Sequence, residues 1–154
     1  MADQKPPRSS GDDREILTSL LRYQRNSIIR KLEGLDDVAA AWSPVVSATS
    51  ALWLLVHLAN AERSWVLERF AGEVHNSLVE SPSDIAAAVD IYMATSHAVD
   101  LVIASNELDA LCQGDATQPP VNLRWIVAHL LEETARHAGH LDIIVEMING
   151  NVGR

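Results

Sequence analysis

The sequence predicts an all-α fold: a four-helix bundle with one long crossover connection. Three observations predict it. Apolar residues recur at helical spacing through four segments, no segment alternates in the manner of a β-strand, and Gly, Pro and Ser punctuate the chain between the four. Four amphipathic segments bury their stripes by packing together, and loops longer than those of simple bundles predict the crossover.

The elements follow in order. Met1 to Gly11 is polar, carries Pro6-Pro7 and has no hydrophobic signal core, so it is expected to be a disordered leader to a folded domain at 12–154. The first helix is expected from Asp12 or Asp13 to Leu32, with Ile16, Leu17, Leu20, Leu21, Ile28 and Leu32 on its apolar side and Gly34 to stop it. Leu35 to Ser50 is a polar connection whose Thr49 or Ser50 can cap a second helix, Ala51 to Phe70, closed by Ala71-Gly72. Ser81 or Ser83 can cap a third helix, Asp84 to Ser105, and Glu107 to Leu111 can form a further short turn of helix. Gln113 to Pro120 is a loop. Asn122 then caps the fourth helix, which ends near Gly150.

Composition narrows the function. With 47% hydrophobic and 21% charged residues the chain is balanced as an ordinary globular domain is. A formal net charge of −9 argues against a nucleic-acid partner, because phosphate contacts need a basic surface. The Arg22, Arg25, Arg30 and Lys31 cluster reads as a solvated helix face. No uninterrupted apolar run approaches the roughly 18 residues of a membrane span, so no membrane partner is expected. The single cysteine, Cys112, excludes an internal disulfide, suits a reducing cytoplasm and reads as an inert thiol beside a loop.

The chemistry concentrates in Glu133-Thr-Ala-Arg-His137-Ala-Gly-His140. Carried through the fourth helix, the stripe of Ile126, Leu130, Leu141, Ile144 and Ile148 passes over Glu133 and His137, with His129 and His140 beside them. At about 100° per residue, Glu133 and His137 lie roughly 40° apart on one face. A carboxylate aimed at a core is costly to bury unless its charge is compensated, and a divalent cation compensates it. His57 offers a third group from an otherwise apolar stretch, Leu52-Trp53-Leu54-Leu55-Val56-His57-Leu58-Ala59, with Trp53, Asn60 and Ser64 flanking it. Glu62 points about 140° away, toward Arg63, Arg69 or solvent.

Taken singly, His57 reads as a hydrogen-bonded core histidine and Glu133 with His137 as a solvated pair. Together they read as a metal site, since bundles build such sites from inward-facing ligands on neighbouring helices. The residues alone leave two ligand sets open, His57 with Glu133 and His137 or His57 with His137 and His140, and His129 also competes. Two imidazoles and a carboxylate leave coordination positions for substrate, as catalytic sites do. Such donors suit a divalent metal, zinc best, with nickel or iron as alternatives.

His57-Leu-Ala-Asn-Ala-Glu62-Arg63-Ser-Trp65, followed downstream by Leu123-Arg-Trp125-Ile-Val-Ala-His129-Leu-Leu-Glu-Glu133-Thr-Ala-Arg-His137-Ala-Gly-His140-Leu-Asp142, resembles the DinB-like superfamily. Within it the likeness is to the actinobacterial branch related to mycothiol-dependent maleylpyruvate isomerase, and it covers Asp13 to Gly150. The resemblance implies a four-helix bundle, often a homodimer, with a metal held by one residue of the second helix and two of the last: His57, Glu133 and His137. It further implies mycothiol or a similar small thiol as cofactor or co-substrate and an electrophile as the other substrate, hence a metal-dependent thiol S-transferase. His140 is then the candidate for proton transfer. The isomerase carries a further C-terminal domain absent from these 154 residues, which puts isomerase activity in doubt and leaves metal binding and thiol transfer open. The competing readings are a non-catalytic, stress-related metal-binding bundle and a metal-free helical dimer whose histidines pair with Glu133.

Other residues carry plainer expectations. Trp53, Trp65 and Trp125 are read as core residues or as the lining of a pocket at the metal. Arg136 is read as a surface ion pair or an anion-binding group. Glu132, His75 and His97 are read as surface residues, and Ala86-Ala-Ala88 with Ala94 and Ala98 as a close-packing face.

Overall fold

The computed structural model describes residues 5–74, 82, 84–112, 119–150 and 152. It contains α1 (Asp13–Leu32), α2 (Asp37–Ala41), α3 (Ala51–Glu62) with a π-helical continuation (Arg63–Phe70), α4 (Ile85–Ser105) and α5 (Leu123–Asn149). Among the described residues there are no strands, only an isolated bridge between Leu111 and Asn122. The all-α bundle is therefore what the periodicity predicts.

Each helix starts on a side chain that accepts from a backbone N–H three residues on. These caps are Asp12 to Glu15, Asp36 to Ala39, Ser50 to Trp53, Asp84 to Ala87 and Asn122 to Trp125. Each cap satisfies an N–H that the helix leaves without a partner and contributes about 1 kcal/mol. The expected caps Ser81 and Ser83 fall outside the described residues, as do His75 and residues 113–118 of the expected loop. Asp84, expected inside the helix, is its cap instead. Gly150 closes α5 in the left-handed region at φ 76°, which a side chain would resist.

Three further expectations are corrected. The connection after α1 contains the short helix α2, stopped at Trp42. Glu107 to Leu111 is a turn, closed by Ala110 N–H on Glu107 O, and not a further helix. The second long helix is α-helical only to Glu62; beyond it the pairing lengthens, with Ala71 N–H donating to Val66 O at 2.9 Å.

Two apolar clusters give the topology. One joins the C-terminal halves of α1 and α5 (Ile28, Leu32, Leu141, Ile144) to the N-terminal halves of α3 and α4 (Leu54, Leu55, Leu58, Ala88, Tyr92). The other joins the opposite ends, with Leu21, Val66, Val99, Ile103, Ile126 and Leu130. Hence α1 and α5 run one way and α3 and α4 the other. The π segment therefore ends at one end of the bundle and α4 begins at the other, the arrangement that the expected long crossover needs.

Between the clusters lies a polar layer. Arg25 donates from Nε and Nη2 to both oxygens of Glu62, at 2.8 and 2.7 Å, and from Nη1 to Asp100 at 2.7 Å. Two expectations fail here. Arg25 belongs to no solvated face, with its side chain 6% exposed, and Glu62, wholly buried, meets neither Arg63, Arg69 nor solvent. The angle put Glu62 away from His57 correctly; what lies in that direction is α1. Burial opposes the charge on Arg25, yet Glu62 and Asp100 outweigh it and hold the guanidinium protonated.

Helix α4 leaves one face exposed, on which Ala86, Met93, Ala94, Leu101 and Ala104 are interspersed with the equally exposed Asp90 and His97. By length and composition it is also a helix apolar enough to cross a membrane, with a mean hydropathy of 1.3 over its best window. Asp90 and Asp100 interrupt it, so it contains no unbroken apolar run of membrane-spanning length.

Candidate metal centre

α3 and α5 pack antiparallel, and their adjoining rims carry the functional side chains. The buried stripe of α5 at this level runs through Leu130, Thr134, Ala138 and Leu141. Glu133 and His137 therefore lie one position off the stripe, at the edge of the core and not, as expected, inside it. The geometry keeps them accessible: the side chains of His57, Glu133 and His137 are 33%, 17% and 12% exposed.

Glu133 Oε1 stands 3.0 Å from His57 Nε2 and 3.1 Å from His137 Nε2. One ligand atom from each of the three lies within 4.8 Å of the other two. Donors that share a tetrahedral zinc ion are about 3.4 Å apart, so two imidazole nitrogens and a carboxylate oxygen in this arrangement fit a divalent cation. The structure thus brings together His57, Glu133 and His137, the set the resemblance implied.

The competing histidines stand elsewhere. His140 is exposed, its Nδ1 3.2 Å from Nδ1 of His137, on the side of that ring away from Glu133. With His137 Nε2 turned to the centre, an Nδ1–H···Nδ1 bond between the two rings fixes the His137 ring, as outer partners of ligating histidines do. His129 lies 3.7 Å from Glu132 and stacks on Trp125 at 5.0 Å, outside the group.

The electrostatics follow from half-burial. Burial alone would raise the Glu133 carboxyl, but hydrogen bonds from His57 and His137 outweigh it and hold the group below the ordinary carboxylate value. Burial lowers His137, against the pull of Glu133, so its imidazole stays neutral and able to ligate below the usual histidine range. Arg136 spans Glu132 and Glu133 Oε2, the latter at 3.4 Å, which is the ion-pair reading of that residue.

The tryptophans correct another expectation. Trp53 and Trp125 are 46% and 45% exposed and so are not core residues. Trp53 stacks on His57 at 4.9 Å and 6°, and this flat contact forms one wall of the centre. Trp65, half-buried, meets Trp125 and His129 at 5.3 and 5.0 Å farther along the same rim. Helical periodicity showed these rings on amphipathic helices but not that their faces stop short of the core. Cys112 is buried, and its Sγ accepts from Val121 N–H at 3.4 Å, in keeping with an inert thiol.

A four-helix bundle whose second and last long helices bring together two imidazoles and a carboxylate able to hold a metal ion is the arrangement that the DinB-like resemblance implies. Residues 16–150 match the mycothiol-S-transferase family. The chain belongs to that family, which is DinB-like. No curated protein matches the chain.

Proposed function

We propose that this protein is a metal-dependent mycothiol S-transferase. The convergence of His57, Glu133 and His137 carries the reading, and membership of the mycothiol-S-transferase family supports the thiol. These three side chains would hold a divalent cation, zinc fitting the donor set best. When bound, such a cation lowers the pKa of a nearby thiol, so that thiolate is present at neutral pH.

The remaining work falls to the chain. Trp53 holds the His57 ring flat and keeps water from that side of the centre. In this reading His140, exposed beside His137, takes the thiol proton on its imidazole. The sulfur then forms a bond to the electrophilic carbon of the second substrate, and the bond from that carbon to its leaving group, or to oxygen in an epoxide, breaks. The proton held by His140 goes to the ring-opened oxygen of an epoxide, or to solvent where a halide departs.

Assembly and compartment are part of the proposal. The exposed Met93 and Leu101 of α4, on a face that also carries alanines, Asp90 and His97, support a homodimer through that face, and a single reduced cysteine suits the cytoplasm. The test is turnover of mycothiol with a bimane or an epoxide by metal-loaded protein. We expect product with the native chain and none above background with His57→Ala. No turnover by the native chain across a broad panel of electrophiles would overturn the reading.

A further inference from the structure

The π-helical turn after Glu62 changes which side chains share a face with His57. Were α3 to continue at about 100° per residue, Trp65 would lie roughly 80° from His57 and Arg69 roughly 120°. At about 82° per residue beyond Glu62, Trp65 falls within roughly 30° of His57 and Arg69 within roughly 10°. The contacts agree. Trp65 meets Trp125 and His129 of α5, Trp125 and His129 stack within 17° of parallel, and the Arg69 guanidinium lies 4.4 Å over the Trp65 ring. These four side chains form an aromatic shelf with a cation at its end, in line with the metal centre. Along α5 it stands about 6 to 12 Å from Glu133.

The shelf has features that a core contact would lack. Trp125 leaves 45% of its surface in solvent, although it costs free energy to keep so large an apolar ring wet. A π turn gives up regular pairing, and such turns gather at functional sites. Wet indole beside guanidinium and imidazole N–H suits a ring with apolar C–H faces and hydroxyl edges. Such a ring is a sugar or cyclitol, which stacks on the indole while its oxygens accept from the cation and the imidazole.

We infer that the Trp65, Trp125, His129 and Arg69 shelf binds the sugar–cyclitol portion of the thiol substrate. The inference rests on the transferase reading above. In mycothiol the reacting sulfur belongs to a cysteinyl group carried on glucosamine linked to inositol, and these rings trail the sulfur by about two turns of helix. With sulfur at the His57, Glu133 and His137 centre, the rings reach the shelf. A small thiol without them reaches only the centre.

The test compares Trp125→Ala and Trp125→Phe with the native chain. The KM for mycothiol and for N-acetylcysteine is measured against one bimane, and calorimetry follows the binding of sulfur-free glucosaminyl-inositol. We expect Trp125→Ala to raise the mycothiol KM about tenfold and leave the N-acetylcysteine KM unchanged, with Trp125→Phe restoring most of the loss. Glucosaminyl-inositol should bind the native chain and Trp125→Phe but not Trp125→Ala. An equal rise for both thiols, or a rise confined to the KM of the bimane, would overturn the assignment, the latter giving the shelf to the electrophile. Binding of the glycoside that depends on Trp125, without turnover of any thiol, would uphold the shelf and sink the transferase. Turnover of mycothiol indifferent to Trp125 would do the reverse.

Discussion

His57 Nε2 and Glu133 Oε1 stand 3.0 Å apart although 76 positions separate them in the chain. Neither is buried deeply enough for packing alone to demand the contact, and the same carboxylate oxygen also meets His137. If this junction holds a cation, His57→Ala and Glu133→Ala will each lose it, from about one equivalent to a trace, by elemental analysis of untagged protein. His140→Ala keeps all three ligands and should retain the ion with about 10- to 100-fold weaker affinity, through loss of the bond that orients His137.

Arg25 and Glu62 form a buried bidentate pair, and a lone buried charge is far more costly than the pair. Glu62→Ala should lower the unfolding free energy by about 3 to 5 kcal/mol in urea titrations. Replacing both residues together, Arg25→Met with Glu62→Met, should recover most of that loss. Asp100→Asn should be milder, because Asp100 is 33% exposed and water can take its place.

Tyr92 supplies a pH dependence. Burial first, then the nearby charge of Glu62, pushes its phenol well above the ordinary value of 10.0. The group is raised in the folded state, so its contribution is complete below pH 10 and is lost as pH rises beyond it, where only the unfolded chain ionises. Between about pH 10 and the folded-state value, stability should fall with a slope steeper by about 1.4 kcal/mol per pH unit in the native chain than in Tyr92→Phe. Urea midpoints on either side of pH 10 measure it.

Asn122 caps the helix that carries two of the three proposed ligands, its Oδ1 accepting from Trp125 N–H at 2.9 Å. Asn122→Ala should cost about 1 kcal/mol in urea unfolding. Metal content should be unchanged, because fraying stays in the first turn of α5 and Glu133 lies about three turns on.

Much of this was legible in local pattern. The caps at Ser50 and Asn122, the stop at Gly150 and the register of Leu130, Leu141 and Ile144 are fixed by spacing and backbone chemistry. The separation of Glu62 from His57 followed from helix angle alone. The partner of Glu62 did not, because Arg25 sits on another helix and no periodicity links them. Nor did the rim position of Glu133 and His137. A four-residue spacing fits the core stripe through Thr134 and Ala138 as well as it fits the edge beside it.

By itself, then, the sequence determined the long helices, the caps at Ser50 and Asn122 and the group of histidines and carboxylate from which a ligand set is drawn, since these depend on residues a few positions apart. The choice among those histidines came with the family resemblance. Tertiary structure decided the rest: which helices adjoin, that Arg25 is buried on Glu62, and that a π turn swings Trp65 and Arg69 into line with His57. Packing set these because each balances desolvation against a partner supplied from far along the chain, and no local rule records where that partner will be.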